Sequence, residues 1–125
     1  LVILDSFSSL EWMGVPLSNM KQFIRALRDL CLKSNACLII RHSIVTSDQV
    51  DDLLRSLFQQ CFYHIEVLPL ASGRSGVING EIALHLGPAA DSQALRGIPR
   101  SNATQYRLLD AGATYFDKGT TPNVL

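Results

Sequence analysis

Residues 1–4 (LVIL) form an unbroken apolar run that ends on Asp5. A run of that kind predicts a short strand buried on both faces. A loop follows over "SSLEWMGVP", punctuated by Gly14 and Pro16. The period then changes: Met20, Phe23, Ile24, Leu27, Leu30 and Cys31 recur at helical spacing, so "LSNMKQFIRALRDLCLK" predicts an amphipathic helix with those six side chains inward. Ser18 is placed to cap its start, and Ser34-Asn35 to end it, because asparagine tolerates the left-handed conformation that terminates helices. "ACLIIRH" reads as a second buried strand. Thr46 and Gln49 have the spacing of a capping box, and Asp48, Asp51 and Asp52 favour the positive end of a helix dipole, so a second helix begins there with Val50, Leu53, Leu54, Leu57, Phe58 and Cys61 inward. "CFYHIEVLPL" alternates as a third strand, and Pro69 closes it or marks an edge.

The second half changes character. Three glycines and Asn79-Gly80 in "ASGRSGVINGE" signal a reversal instead of a crossover helix, so "EIALHL" should return antiparallel to the third strand. Residues 87–103 carry two prolines and little periodicity, which predicts a mobile loop. "TQYRLLD" and "ATYFDK", joined around Ala111-Gly112, predict a second hairpin. The order β-α-β-α-β followed by hairpins implies one three-layer α/β domain over residues 1–125, a parallel sheet extended by C-terminal antiparallel strands. Ligands in such sheets bind at the carboxyl ends of the parallel strands, here Asp5-Ser6 and Arg41-His42.

Composition narrows the partners. Eleven Lys+Arg balance eleven Asp+Glu in 125 residues, so no global field draws the chain to nucleic acid or an anionic membrane, and such contacts would need a local patch. Cys31, Cys37 and Cys61 are odd in number, lack CxxC spacing and lie in apolar segments, which suits buried thiols in a reducing compartment. Neither a membrane span nor a basic leader with an apolar core is evident, so the chain reads as soluble and intracellular. It starts with Leu on a strand-like run, which reads as a piece of something longer.

Asp5 is the first candidate for chemistry. An acid at the end of a buried parallel strand can hold magnesium through water at a nucleotide site, or can simply cap the following turn. No GxxxxGK[ST] loop occurs in the chain, and "GRSG" at 73–76 has neither its spacing nor its lysine. Ser6, Ser8 and Ser9 follow a strand, but no His or Lys is placed in sequence to make one a nucleophile. His42, His64 and His85 fall on separate strands without zinc-site spacing. Lys21, Arg25, Arg28 and Lys33 share the outer side of the first helix, and Arg74 sits at a glycine-rich tip able to approach a phosphate backbone. The bland readings are a solvated helix face for the lysines and arginines and, for Arg41 and His42, an ion pair at a subunit contact.

The closing segment, "QYRLLDAGATYFDKGTTPNVL", resembles the end of the Elongator complex subunit 6 family, through Tyr115-Phe116, Lys118-Gly119 and Val124-Leu125. "LVILDSFSSL" and "LPLASGRSGVINGEIALHL" resemble other stretches of that family. The resemblance implies a RecA-like ATPase fold without its phosphate-binding loop, with Asp5 at a degenerate Walker B-like position. It implies a hetero-hexameric ring with Elongator subunits 4 and 5, two copies of each. That ring binds tRNA, releases it in response to ATP and supports wobble-uridine (U34) modification by the catalytic subcomplex, in the cytoplasm and also the nucleus. No cofactor would be bound by this subunit alone, with ATP held at ring interfaces. Residues 10–15 and 41–47 would stand where such rings place the loops facing the central opening, which makes Lys21, Arg41 and His42 candidates for RNA contact, beside Arg74 at its glycine-rich tip. Tyr115, Phe116, Val124 and Leu125 become interface candidates. The alternative is an active RecA or KaiC-like ATPase whose phosphate loop lies upstream, with Asp5 holding magnesium.

Overall fold

A computed structural model describes residues 1–44, 52–73, 77–91 and 94–118. The chain is mixed α/β and divides into two compact units, Leu1–Leu57 and Phe58–Leu125. The first carries a two-stranded parallel sheet and the second a four-stranded antiparallel one.

In the first unit β1 (Val2–Leu4) leads through α1 (Ser9–Trp12) and α2 (Leu17–Lys33) to β2 (Leu38–Ile40), and α3 (Asp52–Phe58) follows. The strands pair in parallel with Val2 opposite Leu38, Ile3 opposite Ile39 and Leu4 opposite Ile40. Leu4 and Ile40 face a core of Phe7, Met20, Ile24 and Leu53. Expected burial on both faces is not found: Ile3 and Ile39, paired side by side, are 58% and 48% exposed.

The expected first loop contains α1. Ser6 adopts a left-handed φ of 55°, and its carbonyl accepts from both the amide and the hydroxyl of Ser9, which turns the chain into a helical turn directly after the strand. That turn drives Phe7 into the core. The N-terminus of α2 is also one step earlier than Ser18. Pro16 is the N-cap, its carbonyl accepting from Asn19 and Met20, and it needs no amide partner of its own. Ser18 lies within the first turn, 3.4 Å from the Asn19 side-chain oxygen. The helix ends where expected, with Asn35 at φ 50° and the Ala36 amide donating to the Cys31 carbonyl. Of the six residues expected inward, Met20, Ile24 and Cys31 are buried and Leu27 half-buried, while Phe23 and Leu30 are 47% and 59% exposed. The buried seam follows spacings of four, three and four; Phe23 and Leu30 lie on its margin, where the ring of Phe7 stacks on Phe23 at 6.3 Å. Thr46, Gln49 and Val50 lie outside the described residues, and Leu53 and Leu54 are buried as expected.

The second unit holds β3 (Tyr63–Leu68), β4 (Gly80–Leu86), β5 (Thr104–Leu109) and β6 (Gly112–Phe116), hydrogen-bonded in that order, every pair antiparallel. Both expected hairpins form, but among the described residues β3 pairs only with β4 and β2 only with β1, so the parallel and antiparallel parts are separate sheets. Asn79-Gly80 is a pairing device and not the turn itself: the Asn79 amide donates to the Tyr106 carbonyl and its side-chain oxygen accepts from the Leu108 amide. Gly80 stands directly opposite Tyr106, and a Cβ there would come within 2.8 Å of the tyrosine ring. The segment expected as a loop at 87–103 bridges Ile98 to Leu84 beside β4 and then makes a 3-10 turn at Arg100–Asn102. Gly112 at φ 145° closes the last hairpin opposite Leu109.

Candidate functional site

Parallel pairing of β1 and β2 sends both carboxyl ends the same way, and the ladder continues past them: the Arg41 amide donates to the Leu4 carbonyl and the Phe7 amide to the Arg41 carbonyl. Asp5 and Arg41 are thereby brought together as the sheet topology requires. The guanidinium pairs with the Asp5 carboxylate, and both side chains are about two-thirds exposed (64% and 69%). An exposed pair of this kind contributes little to stability, on the order of 0–1 kcal/mol. Its consequence is chemical: the carboxylate that a magnesium site would use faces a guanidinium in this structure. His42 follows half-buried, and Lys21 lies in the second turn of α2. Arg74, Val124 and Leu125 lie outside the described residues. Tyr115 is exposed and Phe116 half-buried on β6, an edge strand.

A second cluster lies in the antiparallel sheet, where the sequence reading saw only isolated histidines. His64 and His85 are register partners on β3 and β4, and Glu66 is two residues on from His64, so all three project from one face. The imidazoles stack at 5.4 Å, and Phe58 packs on the other side of His64 at 4.6 Å. Glu66, only 12% exposed, accepts from Arg100 Nε at 2.7 Å and from the guanidinium's terminal nitrogen, and sits 3.1 Å from His85 Nε2. Ala83, the register partner of Glu66, is fully buried, and a larger side chain there would crowd this arrangement. The Arg100 hydrogen bond, and then His85, hold the Glu66 carboxyl down to about 2 despite the opposing effect of burial. Burial pushes the His64 pKa down, aided by His85 and Arg100 and opposed by Glu66. The only signal in the sequence was the alternation of His64 and Glu66 with apolar residues.

The same face carries a third ionic feature. Glu81 is 5% exposed overall, accepts from the Gln105 side-chain amide at 3.2 Å, and lies 3.7 Å from the Lys118 ammonium. Lys118, one of the residues that carry the family resemblance, thus has a structural use: it neutralises a buried acid on β4 from beyond the end of β6.

No protein-family model and no curated protein matches this sequence.

Chemically, the Glu66 cluster acts as a cross-link. One carboxylate joins β3, β4 and the turn at Arg100, and it is committed to those partners. Among the described residues no group of three His, Cys, Asp or Glu side chains is arranged to hold a metal, and no helix is long and apolar enough to cross a membrane. The cysteines differ from one another: Cys31 is buried, Cys37 exposed at the foot of β2 and Cys61 half-buried, so the expectation that all three are buried fails at Cys37. Burial pushes the Cys61 thiol up, and its Sγ donates to the Phe58 carbonyl at 3.4 Å. That is the opposite of a nucleophile's environment.

Proposed function

We propose that this chain is a non-catalytic subunit of the Elongator subunit 6 type, built on a RecA-like three-layer plan, which acts by assembling with subunits 4 and 5 into a hetero-hexameric ring that binds tRNA for wobble-uridine modification. The observation that carries the reading is the Asp5–Arg41 pair at the carboxyl ends of the parallel strands. In a working ATPase an acid at that point serves the metal of a metal-bridged triphosphate, whereas here a guanidinium on the neighbouring strand occupies it. The resemblance of the terminal segment supports the reading, and the chain's neutral net charge fits RNA contact shared among subunits.

In the ring, Arg41 and His42 sit at the strand ends nearest the central opening, with Lys21 and Arg74 as further RNA contacts, and Tyr115, Phe116, Val124 and Leu125 contribute to subunit interfaces. Co-expression with Elongator subunits 4 and 5 followed by native mass measurement tests the reading directly. A stoichiometric complex with two copies of each chain is expected. ATP hydrolysis by this protein alone, abolished in Asp5→Ala, would instead establish the ATPase alternative.

A further inference from the structure

Two basic groups reach the Glu66 carboxylate from different parts of the chain, and they use the same oxygen. Oε2 accepts from Arg100 Nε at 2.7 Å and lies 3.1 Å from His85 Nε2, while Oε1 takes the terminal nitrogen of the guanidinium. Their freedom to move differs. His85 is fixed by the β3–β4 ladder opposite His64, whose ring is enclosed between His85 and Phe58. Arg100, its side chain 67% exposed, belongs to the 3-10 turn that ends the segment 94–102. That segment lies along β4 beyond the reach of β5. The strand β5 pairs with Gly80, Glu81 and Ile82, and past them Ile98 exchanges both backbone hydrogen bonds with Leu84, at 2.8 and 2.9 Å. The Leu95 amide donates to the Tyr63 hydroxyl. The Arg100–Glu66 pair thus fastens a strap along a stretch of β4 that would otherwise be an open strand edge.

We infer that this strap is a proton-operated latch: when the His64–His85 pair takes up protons in the mildly acidic range, the imidazolium of His85 claims the Glu66 oxygen, Arg100 leaves for solvent, and the segment 94–102 is freed from β4. Charge is the first ground. With both imidazoles neutral, one carboxylate faces one guanidinium and the cluster is balanced; each added proton sets another cation against the same carboxylate. Among the described residues, the groups facing the imidazoles are Glu66 on β3, the two rings themselves across β3 and β4, and Arg100 on the turn. The last residue of α3 contributes the uncharged Phe58 ring, and burial keeps the Cys61 thiol before β3 neutral. Glu81, farther along the face, is engaged by Lys118. Linkage is the second ground: Arg100 opposes the charging of His64, so protonation of His64 opposes the holding of Arg100 by the same amount. Escape is the third. The imidazoles cannot separate without breaking the ladder, whereas a guanidinium already two-thirds in water needs only to swing away.

The latch goes beyond the ring reading and does not depend on it. Amide hydrogen exchange of the purified chain at about pH 7.5 and about pH 5, corrected for the intrinsic exchange rate, tests it. Protection of the Ile98 and Leu84 amides should fall by about tenfold or more at the lower pH, while the amides that join β3 to β4 keep theirs. His85→Gln keeps an N–H for Glu66 but takes up no proton, and should hold the change below about twofold. Arg100→Gln removes the fastening and should leave both amides poorly protected at either pH; it decides the matter where His85→Gln fails to fold. Ile98 protection indifferent to pH in the unaltered chain, or an undiminished pH response in His85→Gln, would overturn the inference. So would an Arg100→Gln chain as protected as the unaltered one, or a loss at pH 5 shared equally by the whole sheet. Assembly with subunits 4 and 5 is read by a separate measurement, so the latch and the ring fail independently.

Discussion

Gly87 shows how a single residue decides local packing in this protein. A Cβ at that position would meet the Cys61 carbonyl oxygen at less than van der Waals contact and the Cys61 Sγ at 2.6 Å, with backbone on one side that cannot move without disturbing β3. Gly87→Ala should therefore destabilise by roughly 2 kcal/mol or more, read as a fall in the urea midpoint at constant m. Glu66 supports a pH prediction. Its carboxyl is held down to about 2 from an ordinary 4.5, so it stabilises fully above the unfolded value, and that contribution is lost as pH falls from 4.5 toward 2. His64 adds to this from higher pH: its pKa is lowered from 6.5, so the unfolded chain takes up the proton first and stability begins to fall below that value. Thermal unfolding should thus decline in two stages on acidification. Glu66→Gln should remove the lower stage and cost roughly 1–2 kcal/mol at pH 7, the solvent around the exposed Arg100 screening the rest. An unchanged acid limb in Glu66→Gln would refute the assignment.

At the scale of elements, α2 illustrates how periodicity overstates burial. Its apolar residues have helical spacing, yet the sheet beneath it has two strands of three residues each, wide enough to cover the central seam and no more. Ile24, 2% exposed and in contact with Phe7, Met20 and Leu53, should cost roughly 2–4 kcal/mol on truncation to Ala. Leu30→Ala, at a 59% exposed position, should cost less than about 0.5 kcal/mol. Comparable losses in the two variants, measured by denaturant unfolding, would mean that the margin of the helix is covered in solution. The antiparallel sheet shows the converse. Its strands were legible because apolar and polar residues alternate through "YHIEVL" and "EIALHL", but alternation does not say which face is covered.

For the whole molecule the governing quantity is charge. Equal numbers of acidic and basic side chains leave no net field, and several basic ones are engaged with carboxylates: Arg41 with Asp5, Arg100 with Glu66, Lys118 with Glu81. The chain alone should bind tRNA weakly, with a shallow dependence on salt corresponding to few phosphate contacts, and the proposed ring, once assembled, should bind it tightly. Filter-binding titrations at about 50 and 200 mM salt separate these cases, and tight, steeply salt-dependent binding by the single chain would argue for an autonomous RNA-binding domain instead.

Local chemistry was what the amino-acid order settled unaided: the strands, α2 and α3 of the mixed α/β chain, the Asn35 terminus of α2, the hairpin closed by Gly112 and the placement of Asp5 and Arg41 at strand ends, though not the helical turn of α1. Each depends on spacings of a few residues, and such spacings are written in the chain itself. Tertiary structure alone decided that His64 and His85 are partners, that Glu66 is shared between His85 and Arg100, that Phe7 belongs to the core, and that the charged face of the antiparallel sheet is the more buried one. Those facts follow from strand register and from what lies on top of each sheet, relations between residues 19 to 34 positions apart in the case of Glu66, over which hydrophobic periodicity carries no information.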